Sequence, residues 1–171
     1  MFNAPKVAYV ASTKRSKKYL GSKVINWGTR DLEPTLEPCS HLCIILRQTL
    51  VIESTLSTGV RIIPYSHWIK ENKILYAFEK PYEGNLSEYI PAIMHKMWGK
   101  PYDYMGILYF TWRVALKMIC GAPLPKTNKW DSPTKRFCVE IFGNKLGMVS
   151  PIQMASRWLK DPELTRIQWE D

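Results

Sequence analysis

The chain has 171 residues, 46% hydrophobic, 12% aromatic and 23% charged, enough for a single domain with its own core and free of repeats or low-complexity tracts. Its 24 Lys and Arg against 15 Asp and Glu leave a net charge of +9, which favours anionic partners such as phosphate, acidic lipid or nucleic acid without choosing among them. Cys39, Cys43, Cys120 and Cys138 show no disulfide-scaffold spacing, and Arg113 and Lys117 interrupt the most apolar stretch, Tyr104–Cys120, so neither a disulfide framework nor a membrane span is expected. In Met1–Ser12 the apolar run Val7 to Ala11 is short and, Lys6 apart, positive charge follows it, so no signal peptide is expected and the default setting is soluble, reducing and cytoplasmic.

Lys6–Ser12 has the Val and Tyr content of a short strand. Lys14, Arg15, Lys17 and Lys18 before Gly21 read as a solvated loop, and Trp27–Pro38, with Gly28, Pro34 and Pro38 among acidic residues, as an irregular one. Ser40–Leu46 and Leu50–Thr55, joined by Arg47-Gln48-Thr49, predict a β-hairpin, and Gly59–Pro64 a third strand ended by its proline. The three strands make an antiparallel meander. Ser66 is expected to cap a helix, Asn72–Phe78 to form a strand, and Leu86–Trp98 and Met105–Cys120 to be helical. A helix is expected from about Cys138, with Val139, Ile141, Phe142 and Leu146 as its apolar stripe. Ser150-Pro151 starts another over Ile152–Leu159, and Leu164–Trp169 adds a last strand. The fold class is therefore α+β, an antiparallel sheet packed against helices, in a single domain over residues 1–171.

Side chains alternate along a strand, so His41, Cys43 and Ile45 share one face, as do Val51, Glu53 and Thr55 on the partner. A three-residue loop is expected to set His41 opposite Glu53, where the carboxylate would fix the imidazole tautomer and leave the other ring nitrogen free to accept a proton. Cys138 at a helix N-terminus, beside Lys135 and Arg136, sits where unpaired backbone N–H groups and positive charge favour thiolate over thiol. Nucleophile, base and orienting acid are thus Cys138, His41 and Glu53. The cluster Cys39-x-His41-x-Cys43 is a poor zinc site, because residues i, i+2 and i+4 of a strand span roughly 13 Å whereas ligand atoms lie about 2.0–2.3 Å from the metal. His67 and His95 read as structural or surface residues. There is no Gly-x-Ser-x-Gly elbow, no Gly-rich phosphate loop and no nucleic-acid recognition motif, so no cofactor, metal or specific nucleic acid is expected.

The series Ser40-His41-Leu42-Cys43-Ile44, Val51-Ile52-Glu53-Ser54, Gly59-Val60-Arg61, Gly99-Lys100-Pro101-Tyr102-Asp103 and Phe137-Cys138-Val139-Glu140-Ile141 resembles the YiiX-like permuted papain-like hydrolases, relatives of NlpC-type cell-wall peptidases and lecithin:retinol acyltransferases. The resemblance covers about residues 21–160. It implies a circularly permuted papain-like fold in which the histidine strand comes first and the cysteine helix late. It also implies His41 as base, Glu53 as orienting acid and Cys138 as nucleophile, with the Cys138 backbone N–H in the oxyanion hole. The activity implied is that of a cysteine hydrolase or acyltransferase on an amide or ester bond, in a peptidoglycan stem peptide or a lipid acyl group. Tyr102, Tyr104 and Arg136 are the expected substrate contacts, and Lys126, Lys129 and Lys135 add positive charge near the cysteine. Small members without a signal look similar to bacteriophage-encoded proteins, which implies virion proteins as partners and a virion as one destination. Two rival readings are a catalytically silent papain-like module that self-assembles through Tyr104–Cys120, and a membrane-surface acyltransferase that uses the basic face.

Overall fold

The β-branched runs of the sequence assemble into one antiparallel sheet with helices on it. The computed structural model describes residues 6–16, 19–55, 57–97, 104–123, 138, 142 and 150–169. In chain order these hold β1 (Val7–Lys14), α1 (Leu20–Thr29), a 3-10 turn (Arg30–Leu32), β2 (His41–Leu46), β3 (Leu50–Thr55) and β4 (Gly59–Pro64). There follow α2 (Tyr65–Glu71), β5 (Asn72–Glu79), α3 (Leu86–Met97), α4 (Tyr104–Cys120), α5 (Pro151–Lys160) and β6 (Thr165–Ile167). The six strands lie in the order β4-β3-β2-β1-β5-β6, every neighbouring pair antiparallel. The expected meander β2-β3-β4 forms one half of this sheet, and the expected α+β class holds.

β2 lies inside the sheet, between β1 and β3, and Leu42 to Leu46 are all buried. Its even residues face one layer and its odd residues the other, as the pleat requires. On the first face Val7, Ile44, Leu46, Ile52 and Val60 pack with Leu86, Tyr89, Ile90 and Ile93 of α3. Along the same face Ala11, Leu42 and Phe78 pack with Ile152, Ala155 and Trp158 of α5 and with Cys138. On the opposite face Ala8, Val10, Cys43, Ile45, Val51 and Ala77 are covered by Trp68 of α2, with Ile69 and Trp169 beside it. Each aliphatic side chain so buried stabilises the fold by about 1.5–3 kcal/mol relative to exposure. The α5 start follows its sequence signature: Ser150 Oγ accepts the Gln153 N–H at 3.3 Å while Gln153 Oε1 accepts the Ser150 N–H at 3.0 Å, with Pro151 in the first turn.

Several sequence expectations are corrected. The basic stretch before Gly21 is not simply a solvated loop: Arg15 Nε donates to the carbonyls of Ile69 at 3.1 Å and Asn72 at 2.9 Å, and Lys14 pairs with Glu71 at 3.2 Å. α1 begins at Leu20 and runs to Thr29, so it and the 3-10 turn take up the first part of the presumed loop Trp27–Pro38. Ser66 does not cap α2; Pro64 does, and the helix starts at Tyr65. The helix expected around Cys138 falls mostly outside the described residues; Cys138 and Phe142 are described, each in a 3-10 conformation.

The hairpin register also differs from expectation. Thr49 donates its N–H to the Leu46 carbonyl at 2.9 Å, and Leu46 pairs with Leu50. Counting from that pair, Cys43 and not His41 stands opposite Glu53. The odd loop length keeps His41 and Glu53 on one face but offsets them by two residues, a diagonal relation. The turn that sets this register places Arg47 and Gln48 at φ 46 and 56, the left-handed region that side chains with a Cβ resist. Replacing them as Arg47→Asn/Gln48→Gly should therefore raise stability by about 1 kcal/mol, read as a higher urea midpoint with unchanged slope.

Candidate functional site

Glu53 is the centre of the site. It lies in β3 with its side chain only 1% exposed, on the face covered by α2. A carboxylate this deep is costly unless its oxygens are filled. Three side chains fill them. His41 Nε2 lies 2.8 Å from Oε2, Trp68 Nε1 donates to Oε2 at 2.9 Å, and Arg61 donates twice to Oε1, from Nε at 2.9 Å and Nη2 at 2.6 Å. Arg61 is the direct cross-strand partner of Glu53 on β4, and Trp68 comes from α2, which packs on the same face.

His41 is the first residue of β2, at the end of the sheet. That position lets its ring meet Glu53 and brings it next to the Cys138 thiol. With Nε2 held by Glu53, Nδ1 is the ring nitrogen left for the sulfur. Cys138 itself is buried, 2% exposed, and packs with Cys39 and Leu42. The backbone conformation of its neighbours lies outside the described residues.

Electrostatics follow from this packing. Burial pushes Glu53 towards protonation, but its hydrogen bond from His41, the His41 charge and then Arg61 outweigh it and hold the carboxyl down at about 2. Burial likewise opposes a charged His41, yet hydrogen bonds to Cys138 and Glu53 and the negative charge of both raise it to about 9. The two other thiols nearby are driven the opposite way from reactivity. Burial pushes Cys39 up, helped by Cys138; burial pushes Cys43 well up, helped by the Glu53 charge.

Beside His41 a cavity of about 300 Å³ opens between α1 and the end of the sheet. Tyr19, Leu20 and Ile25 supply its apolar wall, and Lys14, Ser22, Ser40 and Thr55 its polar one. α1 is tied down there by hydroxyls: Ser22 Oγ bonds to Ser40 Oγ, and Asn26 Nδ2 donates to Thr13 Oγ1 at 3.0 Å.

Of the residues expected from sequence, the structure thus brings together His41, Glu53 and Cys138. Tyr102 and Arg136 lie outside the described residues, as do Lys126, Lys129 and Lys135. Tyr104 opens α4. His67 and His95 are exposed, and among the described residues no three His, Cys, Asp or Glu side chains converge to hold a metal ion. No described helix is long and apolar enough to cross a membrane. Sequence reasoning missed Arg61 and Trp68. Arg61 was within reach, since a third meander strand carries an opposite charge to meet Glu53; nothing in the sequence aims the Trp68 indole N–H at a carboxylate. The chain matches no protein-family model, no curated protein and no solved structure.

The shifted groups predict a stability plateau. Glu53 is lowered from its ordinary 4.5, so its contribution is present above that value and lost as pH falls through about 2. His41 is raised from 6.5, so its contribution is complete below that value and lost as pH rises through about 9. Thermal unfolding followed by circular dichroism should give the highest Tm between the two ordinary values. Glu53→Gln should abolish the acid fall and move the alkaline fall to lower pH.

Proposed function

We propose that the protein is a cysteine hydrolase or acyltransferase with a circularly permuted papain-like organisation, using Cys138, His41 and Glu53 on an amide or ester carbonyl. One observation carries this reading: an imidazole, largely withdrawn from solvent, that meets a buried carboxylate at 2.8 Å and lies next to a thiol. The chain order supports it too, with the histidine strand preceding the cysteine, as does the all-antiparallel sheet that presents His41 at its end.

In this mechanism His41 takes the proton of the Cys138 thiol through the nitrogen facing the sulfur. Arg61 already neutralises Glu53, so a protonated His41 leaves the cluster with one positive charge, which the thiolate balances. The sulfur attacks the carbonyl carbon, and the imidazolium gives its proton to the leaving nitrogen or oxygen as that bond breaks, leaving a thioester. Water, or an acceptor alcohol or amine, then loses a proton to His41, attacks the thioester carbonyl, and restores the thiol. Glu53 keeps the ring oriented and stabilises its positive form; Arg61 and Trp68 hold Glu53 in place, as positioning residues. The cavity beside His41, with Tyr19, Leu20 and Ile25 in its apolar wall, offers the acyl part of a substrate, a peptide or a lipid chain, a place next to the base.

The 2% exposure of Cys138 favours a second reading, a catalytically silent module of the same organisation that serves as a binding or virion component. Thiol alkylation at neutral pH separates the two, read site by site by peptide mass spectrometry. The enzyme reading expects Cys138 to react with iodoacetamide at least about tenfold faster than the buried Cys39 and Cys43 and to slow by a similar factor in His41→Ala, while exposed Cys120 is unaffected. Cys138 labelling as slow as Cys39, and indifferent to His41→Ala, establishes the silent module instead.

A further inference from the structure

We infer that α1 and α4 form a docking face for the surface of a membrane rich in acidic phospholipid. The inference starts from where apolar surface is left uncovered. Of the ten large apolar side chains exposed among the described residues, nine belong to α4, to α1 or to its cap Tyr19. They are not scattered. On α1, Leu20, Val24 and Trp27 repeat at helical spacing along one side; on α4, Leu108, Trp112 and Ile119 do the same, with Leu20 72% and Ile119 83% exposed. Isolated exposed apolar residues are ordinary, but two aligned stripes on adjacent helices are a surface for something.

The helices lie against each other. A Cβ on Gly28 would come within 2.8 Å of Val114 Cγ1, a contact distance that only glycine allows without displacement. Between them runs a narrow apolar groove lined by Val24, Trp27, Thr111 and Ala115, which joins the two stripes into one face.

Charge identifies the occupant. Neither α1 nor α4 contains an aspartate or glutamate; Lys23 stands on the α1 stripe beside Leu20, Val24 and Trp27, and the Arg113 guanidinium reaches the Trp112 ring, whereas helical spacing puts Lys117 on the far side of α4 from Leu108, Trp112 and Ile119. The whole chain carries +9. Apolar side chains beside cations, with no carboxylate on either helix, complement the acyl and headgroup layers of an anionic leaflet, where each nearby Lys or Arg adds about 1 kcal/mol of attraction. Trp27 and Trp112 add amphipathic rings of the kind enriched at that depth, with the Arg113 guanidinium over Trp112 at 5.6 Å. α4 has 17 residues and two cations, so it lies on the bilayer and does not cross it. Docking does not depend on the chemistry at Cys138, although Leu20 belongs both to this face and to the cavity beside His41, so a docked molecule would open its cavity towards the lipid.

The test is sedimentation of the full chain with vesicles of equal phosphatidylglycerol and phosphatidylcholine, against pure phosphatidylcholine, at low and high salt. The expected result is retention on the acidic vesicles that weakens with salt and falls about tenfold or more in Trp27→Glu/Leu108→Glu. Both replaced side chains are more than half exposed, and unchanged circular dichroism confirms that the variant folds. A second variant, Lys23→Glu, is expected to lower the salt-dependent part of the retention. Absence of retention on acidic vesicles at low salt, or equal retention of Trp27→Glu/Leu108→Glu, overturns the proposal. So does a wild type that self-associates on a sizing column through this face without binding vesicles, which assigns it to a second copy of the chain. Cys138→Ala should bind vesicles as wild type does. Retention together with an unreactive Cys138 thus upholds the docking face while removing only the enzyme reading.

Discussion

A carboxylate with 1% of its surface exposed organises the end of this sheet. Glu53 can remain ionised there only because β2, β4 and α2 each deliver a donor to it, His41, Arg61 and Trp68. Removing two charges from water is expensive by several kcal/mol per ion, and their attraction repays it only when the remaining lone pairs are filled. Both Glu53 oxygens are filled. The consequence reaches beyond stability, since the same bonds fix which nitrogen of His41 faces Cys138. Secondary structure that is far apart in sequence, residues 41, 53, 61 and 68, is thereby locked into one arrangement.

Around that centre the thiols are sorted by environment. Cys39 and Cys43 are enclosed by the two apolar faces of the sheet, and burial drives both away from ionisation. Cys138 belongs to the same core as Cys39 but touches His41, and this single contact separates a candidate nucleophile from structural cysteines. The proposed chemistry depends on that difference and not on the number of cysteines.

α1 connects the site to the outside. One side of it closes the cavity beside His41 through Ser22 and Ile25, and Ser22 and Asn26 are held by the hydroxyls of Thr13 and Ser40. Another side carries Val24 and Trp27 towards α4. A helix with so few buried residues, Thr29 alone, is held by contacts at its edges, which suits an element placed between a cavity and an external surface.

Alternation and punctuation in the sequence determined the strands β2 to β5, helices α3 to α5 and the class of the fold, because period-2 and period-3.6 patterns and signals such as Ser150-Pro151 act locally. Parity along β2 and β3 was enough to place His41 and Glu53 on one face. The offset between them was decided by the turn, where Arg47 and Gln48 adopt left-handed conformations that their side chains do not advertise. α1 was hidden because Gly21 and Gly28 weaken its local propensity, while its packing on α4 uses the space that Gly28 leaves. Arg61 and Trp68 took up their roles only when the third strand and α2 closed over Glu53. The sequence supplied the chemical groups and their faces; long-range packing chose the partners, because burying a charge is a constraint satisfied only by residues that the fold itself brings together.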